Sequence, residues 1–245
     1  MEGLALNVLE LDRKSSYEKG KTVFGHLLYL PGRIGKLEKL GESVFFPKKH
    51  VILEGGHISK YCYVVKKGRV VSYETYANGE ERIYHFHEEG ALFLEENILF
   101  GQTTPLSFRT ACATELIRID RNSLMKAIKT DSQLALDLLE SASVKFHSSM
   151  EQVRHTRNYS ISWKISDLLL SFAEYSGVPY GNKVLIKEKI SQQMISSMLG
   201  INRITAVRAI KELKDLGLVE QVKGFYCVMD MEKLEEYRDS LNKNG

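Results

Sequence analysis

The sequence predicts an α+β protein in three parts: a β-rich N-terminal half, a long helix and a C-terminal winged helix-turn-helix. Short runs of β-branched and aromatic residues, separated by turn residues, occupy residues 43–120. Helix-forming residues then continue for more than fifty positions without proline or glycine, until Gly177. The remaining chain carries, in this order, a strand, two helices joined at a glycine, and a pair of strands.

Turn signals define the strands of the β-rich half. Asn78-Gly79 lies between two strand-like runs and is the strongest short signal for a hairpin. Other runs are divided or bounded by further turn residues, at Gly55-Gly56, Lys67-Gly68, Gly90 and Pro105. Several short strands at this spacing predict a sandwich, a barrel or a jelly roll.

The tract without glycine predicts a long helix. Apolar and small residues recur along it at three- and four-residue steps, namely Leu134, Leu138, Ala142, Phe146, Ser149 and Val153. This is the spacing of a coiled-coil seam, so we expect the helix to pair with its copy in a homodimer. Packing of the same stripe on its own domain is the alternative. Residues 155–160 are the predicted hinge before the C-terminal part.

The C-terminal part has the start and stop signals of two short helices. Ser191 is a helix-capping residue before "QQMISSML", and Gly200 ends that helix. Asn202 caps a second helix that begins at Arg203, and Gly217 ends it. Two helices joined by a short turn with glycine form a helix-turn-helix, and the strand pair that follows would be its wing. A plain pair of packed helices is the alternative.

The second of these helices has two unlike sides. One side, which we expect to be buried, holds Ala206, Ala209, Ile210, Leu213 and Leu216. The other side holds Arg208 and Lys211, which could bind phosphates and guanine edges, with Thr205 beside them. Ile204 also faces away from the predicted core, and a major groove would offer it a thymine methyl group. The pattern therefore favours a DNA-contacting helix.

Composition limits the class of protein. The chain has 245 residues and a net charge of +3, but residues 154–223 carry eleven Lys/Arg against six Asp/Glu. A basic C-terminal part favours a nucleic-acid partner. Three distant cysteines suggest neither a zinc site nor a disulfide framework. The N-terminal residues do not resemble a signal peptide, and no apolar run is long enough to span a membrane. We therefore expect a soluble, cytoplasmic protein without a membrane partner.

From about Ser43 to its end, the chain resembles the cyclic-AMP-receptor/fumarate-nitrate-reductase (Crp/Fnr) family of bacterial transcription regulators. The resemblance rests on Gly55-Gly56, "YVVKKGRV", Gly90, the long helix and above all "ISQQMISSMLGINRITAVRAIKELKDLGLV". It implies an N-terminal β-roll, similar to a cyclic-nucleotide-binding jelly roll, that senses an effector. A dimerisation helix and a winged helix would follow. The corresponding divisions are residues 1–130, 131–160 and 161–245.

The resemblance also implies which residues bind DNA. The positions that contact bases are Arg203, Ile204, Thr205 and Arg208, and those that contact the backbone are Ser191, Gln192, Gln193 and Lys211, with the cap Asn202 beside them. The cyclic-AMP receptor has a glutamate where Ile204 stands. A carboxylate accepts a hydrogen bond from cytosine and isoleucine cannot, so we expect a more A·T-rich palindromic site. The family further implies RNA polymerase as a partner, and gene activation.

We expect the effector-binding site at the turn "GALFLEENILF". Glu95 matches the ribose-binding glutamate of nucleotide-binding relatives, but their phosphate-binding arginine falls near Thr104-Pro105, and Arg109 is a substitute only if the loop is longer. Cyclic AMP would bind poorly without that cation. We expect a different small-molecule effector, contacted by Phe93, Leu94, Glu95, Glu96, Arg109 and Ser149. A likeness to the halophenol-sensing regulators of dehalorespiration makes a halogenated aromatic the first ligand to test.

Two other functions stay open on the sequence. One is a DNA-binding dimer that needs no effector. The other is a cupin-type metal enzyme, because His85 and His87 would share one face of a strand. The glutamate position of the cupin motif, however, falls on Ala91 or Leu92. We therefore expect no catalytic residue, no metal and no cofactor.

Overall fold

The computed structural model describes residues 29–30 and 35–241. The outer ends of the predicted segments 1–130 and 161–245 lie outside the described residues. The strands are β1 (Tyr29–Leu30), β2 (Glu42–Phe46), β3 (Val51–Leu53), β4 (Tyr61–Lys67), β5 (Val70–Thr75), β6 (Glu81–His87), β7 (Leu92–Phe93), β8 (Ser107–Thr110), β9 (Thr114–Asp120), β10 (Gly177–Tyr180), β11 (Lys183–Ile186), β12 (Val219–Val222) and β13 (Phe225–Val228). The helices are a 3-10 helix (Gly35–Leu40), α1 (Glu95–Phe100), α2 (Arg121–Thr130), α3 (Ser132–Asn158), α4 (Ile161–Ser176), α5 (Gln192–Leu199), α6 (Arg203–Asp215) and α7 (Met231–Ser240).

Two sheets form the N-terminal β-roll. One has the strand order β1-β6-β5-β8-β3 and the other the order β2-β9-β4-β7. The predicted hairpin joins β5 to β6, which pair antiparallel from Val70 opposite His87 to Thr75 opposite Glu81. Gly79 at its turn has a φ of 79°, a conformation that glycine adopts without strain. The apolar residues that face into the roll are buried and hold the two sheets together.

The long helix is present as α3, which has 27 residues. The Asp131 side chain accepts a hydrogen bond from the Leu134 amide and so caps its start. The helix ends at Asn158, and Tyr159 and Ser160 are extended before α4 begins. The break therefore falls inside the predicted hinge, residues 155–160.

The apolar stripe of α3 differs from the predicted seam. Leu134 is buried and Leu138 packs against the apolar core of the β-roll, so neither is available to a partner. The apolar residues exposed on one side of α3 are instead Leu139, Phe146, Met150 and Val153, with Ala142 between them. The predicted stripe thus packs on its own domain only at Leu134 and Leu138, in the first turns of α3, which lie over α2 and the roll.

The winged helix-turn-helix is confirmed. The Ser191 side chain accepts from the Met194 amide and caps α5, and the Asn202 side chain accepts from the Ile204 amide and caps α6. Gly200 ends α5 with a φ of 61°. The wing strands β12 and β13 belong to a sheet of order β10-β11-β13-β12. The expectation that Leu216 is buried is wrong, because it follows the last residue of α6 and is exposed.

Among the described residues, no helix is both long and apolar enough to cross a membrane.

Candidate functional site

The two sides of α6 lie as the helical period predicts. Ala206, Ala209, Ile210 and Leu213 are buried against the domain core. The opposite side forms what we call the recognition surface, which consists of Arg203, Ile204, Thr205, Arg208 and Lys211. All of these are exposed except Thr205, which is half-buried. Ile204 is 69% exposed, so its methyl groups are accessible to an apolar partner.

The other predicted DNA-binding residues lie at the start of α5. Ser191 and Gln193 are exposed and Gln192 is half-buried. The amides of the first turn of a helix point outward and favour negative charge. The start of α5 and the start of α6 are therefore both suited to phosphate groups.

Inside the β-roll, aromatic rings surround one histidine. Phe93 stacks on Tyr63 and on Phe108, each with ring centroids 5.4 Å apart. The ring of His87 lies 5.2 Å from that of Phe93 and 5.7 Å from that of Phe108. His87 is 3% exposed, and neither of its ring nitrogens has a hydrogen-bond partner. An unpaired polar group in an apolar shell costs free energy unless something binds it.

Polar residues connect this aromatic region to α3. Nζ of Lys145 forms an ion pair with Oε1 of Glu95, and the second oxygen of Glu95 is buried without a partner. Nε2 of His85 lies 3.1 Å from Oγ of Ser148. We call His85, His87, Glu95, Lys145 and Ser148 the inner cluster. It joins the start of α1, strand β6 and the long helix.

Burial keeps both histidines of the inner cluster neutral. Loss of solvation lowers the pKa of His85 to about 4, and the charge of Lys145 acts in the same direction. The same two causes, with His85 as a third, lower the pKa of His87 well below its ordinary value. At neutral pH each ring can therefore donate one hydrogen bond and accept one.

Some predicted effector residues belong to this region. Phe93 is one of the aromatic rings around His87, and Glu95 is part of the inner cluster. Leu94, between them, is buried in the apolar core of the roll. Its φ of 64° is uncommon for a residue other than glycine and marks a sharp corner between β7 and α1.

Three predicted effector residues are not brought to the inner cluster. Arg109 lies on the outer face of its sheet, where it forms an ion pair with Glu81 and covers the ring of Tyr73 at 4.0 Å. Glu96 is exposed on α1. Ser149 is exposed on α3 and donates to the Lys145 carbonyl. These placements correct the expectation, since neighbouring residues of a strand or helix point in different directions.

The sequence reasoning missed Lys145 and Ser148. A signal was present, because Lys145, Ser148, Gln152 and His155 follow one another at three- and four-residue steps. Such a polar stripe marks one side of a helix, and here it is the side that faces the β-roll. Gln152 confirms this direction by donating to the Tyr84 carbonyl at 2.9 Å.

The cupin hypothesis finds no metal site to support it. The ring centroids of His85 and His87 are 6.2 Å apart. Within the part of the chain that the structure describes, no group of three or more histidine, cysteine or acidic residues is placed to hold a metal ion.

Comparisons with known proteins agree with this architecture. The cyclic nucleotide-binding domain matches residues 43–131, and the Crp-like helix-turn-helix domain matches residues 164–237. The chain belongs to the Crp/Fnr family. It is a transcriptional regulator and not an enzyme.

Individual members of the Crp/Fnr family are distant in sequence. The global nitrogen regulator of Synechococcus elongatus is 23% identical over 192 residues, which are 78% of this chain and 82% of that protein. A mutant of CooA from Carboxydothermus hydrogenoformans has the same fold, with a TM-score of 0.70, 17% identity and coverage of 83% and 90% of the two chains. CprK complexed with OCPA has a TM-score of 0.65, 17% identity and coverage of 84% and 97%.

The lowered pKa of His85 predicts a pH dependence of stability. The unfolded chain binds this proton below pH about 6.5 and the folded chain only below about 4, so stability falls as the pH drops between these values. The loss from this residue is about 3 kcal/mol at most. Urea unfolding at several pH values should show a smaller acid loss in His85→Gln than in the wild type. The exposed residue His57 provides the control His57→Gln, and equal pH profiles for all three proteins would contradict the assignment.

Proposed function

We propose that this Crp/Fnr regulator binds palindromic DNA as a homodimer, under the control of a small-molecule effector other than cyclic AMP. In this proposal residues 1–130 sense the effector, residues 131–160 form the dimerisation helix and hinge, and residues 161–245 bind DNA. The protein would act in the cytoplasm and recruit RNA polymerase as an activator. The observation that carries the proposal is the recognition surface, whose cationic and apolar side chains are exposed on a capped helix with a buried opposite side.

DNA contact follows from the chemistry of the recognition surface. Arg203 and Arg208 can donate paired hydrogen bonds to guanine, and Lys211 can neutralise a phosphate. Ile204 accepts no hydrogen bond and donates none, but its exposed methyl groups fit the methyl group of thymine. Ser191, Gln192, Gln193 and Asn202 are placed at the starts of the two helices, where backbone amides favour phosphate. This combination supports an A·T-rich half-site.

Selection of bound duplexes from random DNA tests this function. We expect a palindrome with A·T-rich half-sites about 34 Å apart. Arg208→Ala should weaken binding to the selected site by about 1–3 kcal/mol, measured by fluorescence anisotropy. Lys233→Ala, which removes an exposed cation from α7, is the control for net charge. Absence of any enriched sequence, or equal affinities for Arg208→Ala and the control, would refute the proposed function.

The exposed stripe of α3 supports the homodimer. Leu139, Phe146, Met150 and Val153 are each at least 53% exposed and lie on one side of the helix. Contiguous exposed apolar residues on a soluble protein commonly mark an interaction site. Two copies of this stripe would cover one another about a two-fold axis, as most homodimers do. Such a pair would also set two recognition helices at a fixed distance.

A charge in this stripe should break the dimer. Phe146→Glu would bury two unpaired carboxylates near the two-fold axis, which costs about 3 kcal/mol or more. Sedimentation equilibrium is expected to show a dissociation constant raised at least about 100-fold. Val144→Glu places the same charge on the opposite side of α3 and is the matched control. A dimer that survives Phe146→Glu would place the interface elsewhere.

The inner cluster and the aromatic rings around His87 support an aromatic effector. The cation of this cluster is Lys145, and it is paired with Glu95, whereas Arg109 points out of the roll. A cyclic phosphate therefore meets no free cation there. Phe93 is 1% exposed and stacks on Tyr63 and Phe108, so a ligand ring would take the place of one of these side chains beside it. A weakly acidic hydroxyl on that ring could then bond to the unpaired nitrogens of His87. CprK, which has the same fold, is a halophenol-sensing regulator.

Calorimetric titration with a chlorinated phenol and with cyclic AMP tests the effector. We expect binding of the phenol and weaker or no binding of cyclic AMP. His87→Phe should weaken binding of the phenol about 10- to 100-fold, because the ligand hydroxyl would then be buried without a hydrogen-bond partner. His57→Phe, on the surface of the roll, is the control. Tighter binding of cyclic AMP would refute the ligand class, and DNA binding that no ligand alters would favour an effector-independent dimer.

A further inference from the structure

The helix-turn-helix is docked on the outer face of the five-stranded sheet. Ile83 and Phe86 of β6 belong to the same apolar cluster as Ile195, Met198 and Leu199 of α5. Phe86 is 2% exposed and Ile195 is fully buried. The apolar core of the DNA-binding part therefore continues into the surface of the β-roll and is not closed on itself.

Polar contacts surround this apolar contact at the turn between α5 and α6. The guanidinium of Arg82, on β6, covers Gly200, where an added Cβ would lie 2.7 Å from Nη1 of Arg82. The left-handed backbone at this turn favours glycine, and the absence of a side chain lets the Arg82 guanidinium lie directly over it. Next to it, the side-chain amide of Asn202 donates to Oε1 of Glu80 at 3.4 Å.

A second polar contact fixes the other end of the same interface. Arg69, which lies between β4 and β5, forms an ion pair with Glu188 at 3.2 Å, and Glu188 lies just before α5. Arg69 also pairs with Glu88 at 2.5 Å, so its guanidinium is held by the roll while it contacts the helix-turn-helix. All three side chains are less than one quarter exposed, and partial burial strengthens such pairs.

The docked position leaves the recognition surface open. Arg203, Ile204, Arg208 and Lys211 remain exposed although the turn before α6 is in contact with the roll. The docking contact therefore does not cover the groove-facing side chains. It fixes the direction in which α6 points relative to the roll and to α3.

Strand β6 carries both this contact and the inner cluster. Its alternate residues His85 and His87 face the interior, while Phe86 faces α5. We infer that docking of α5 on β6, held by Arg82 over Gly200 and by the Arg69–Glu188 pair, keeps the winged helix in the orientation that binds DNA. A ligand at the inner cluster then acts on DNA binding through the opposite face of the same strand. This inference rests on the proposed function and names its route of control.

A charge swap at the Arg69–Glu188 pair tests the inference with the full chain. Glu188→Arg breaks the pair and should weaken binding to the selected palindrome at least about fivefold, the lower range of coupling between sites. The double variant Arg69→Glu with Glu188→Arg keeps the wild-type net charge and can form the pair again. Because its new carboxylate also lies beside Glu88, it should recover part of the affinity. Amide hydrogen exchange in α5, without DNA, should rise in the single variant and fall again in the double variant.

Glu236→Arg is the matched control, since it makes the same charge change at an exposed site on α7 of the same domain. General attraction to DNA would make both single variants bind more tightly. The inference is overturned if Glu188→Arg binds as well as the control, or if the double variant binds no better than Glu188→Arg. If the wild type binds no DNA while exchange still follows the swap, the proposed function fails and the docked contact alone stands.

Discussion

The alternation of side chains along β6 is the constraint on which the arrangement of this molecule depends. Register with β5 places Val70 opposite His87 and Val71 opposite Phe86. A one-residue slip would exchange the two faces of the strand. His87 would then meet α5 and Phe86 would enter the roll, so both the interior and the docking contact would be lost together. The hairpin turn at Asn78-Gly79 sets the register as far as Tyr73 opposite Ile83, and a β-bulge before His85 then shifts it by one residue.

The predicted hinge, residues 155–160, is packed with aromatic rings although the helix is broken there. His155, at the end of α3, stacks on Tyr159 at 4.7 Å, and Tyr159 stacks on Trp163 of α4 at 3.9 Å. Ser160 caps α4 by accepting from the Trp163 amide. Each aromatic contact of this kind contributes about 0.5–1.5 kcal/mol. A continuous stack across two extended residues allows two helices to change their angle only if rings separate.

The helix-turn-helix could be predicted from the sequence because its signals are local. Ser191 and Asn202 cap the helices that directly follow them, and Gly200 stands at the turn it makes possible. The apolar side of α6 also follows from its own period of 3.6 residues. These features need no knowledge of which distant segment lies nearby.

The interior of the roll could be predicted only in part because it depends on distant pairing. Lys145 and Glu95 form their contact across fifty positions of sequence, and no local sequence pattern predicts it. Ser149 was expected where Ser148 lies, and one residue turns a helix by about 100°. Arg109 was expected inside, but the parity of β8 relative to β5 directs it outward, beside Tyr73. The sequence therefore indicated which residue types lie near the interior, but the direction in which each side chain points followed only from the fold.

Trp163 is the single tryptophan of the chain. Its indole is buried, its ring nitrogen has no hydrogen-bond partner, and it lies in the stack at the base of the hinge. Emission from an indole depends on the polarity around it and on contact with an imidazole that can quench it. The protein therefore contains its own optical probe at the joint between the sensing and DNA-binding parts, free of background from any other tryptophan.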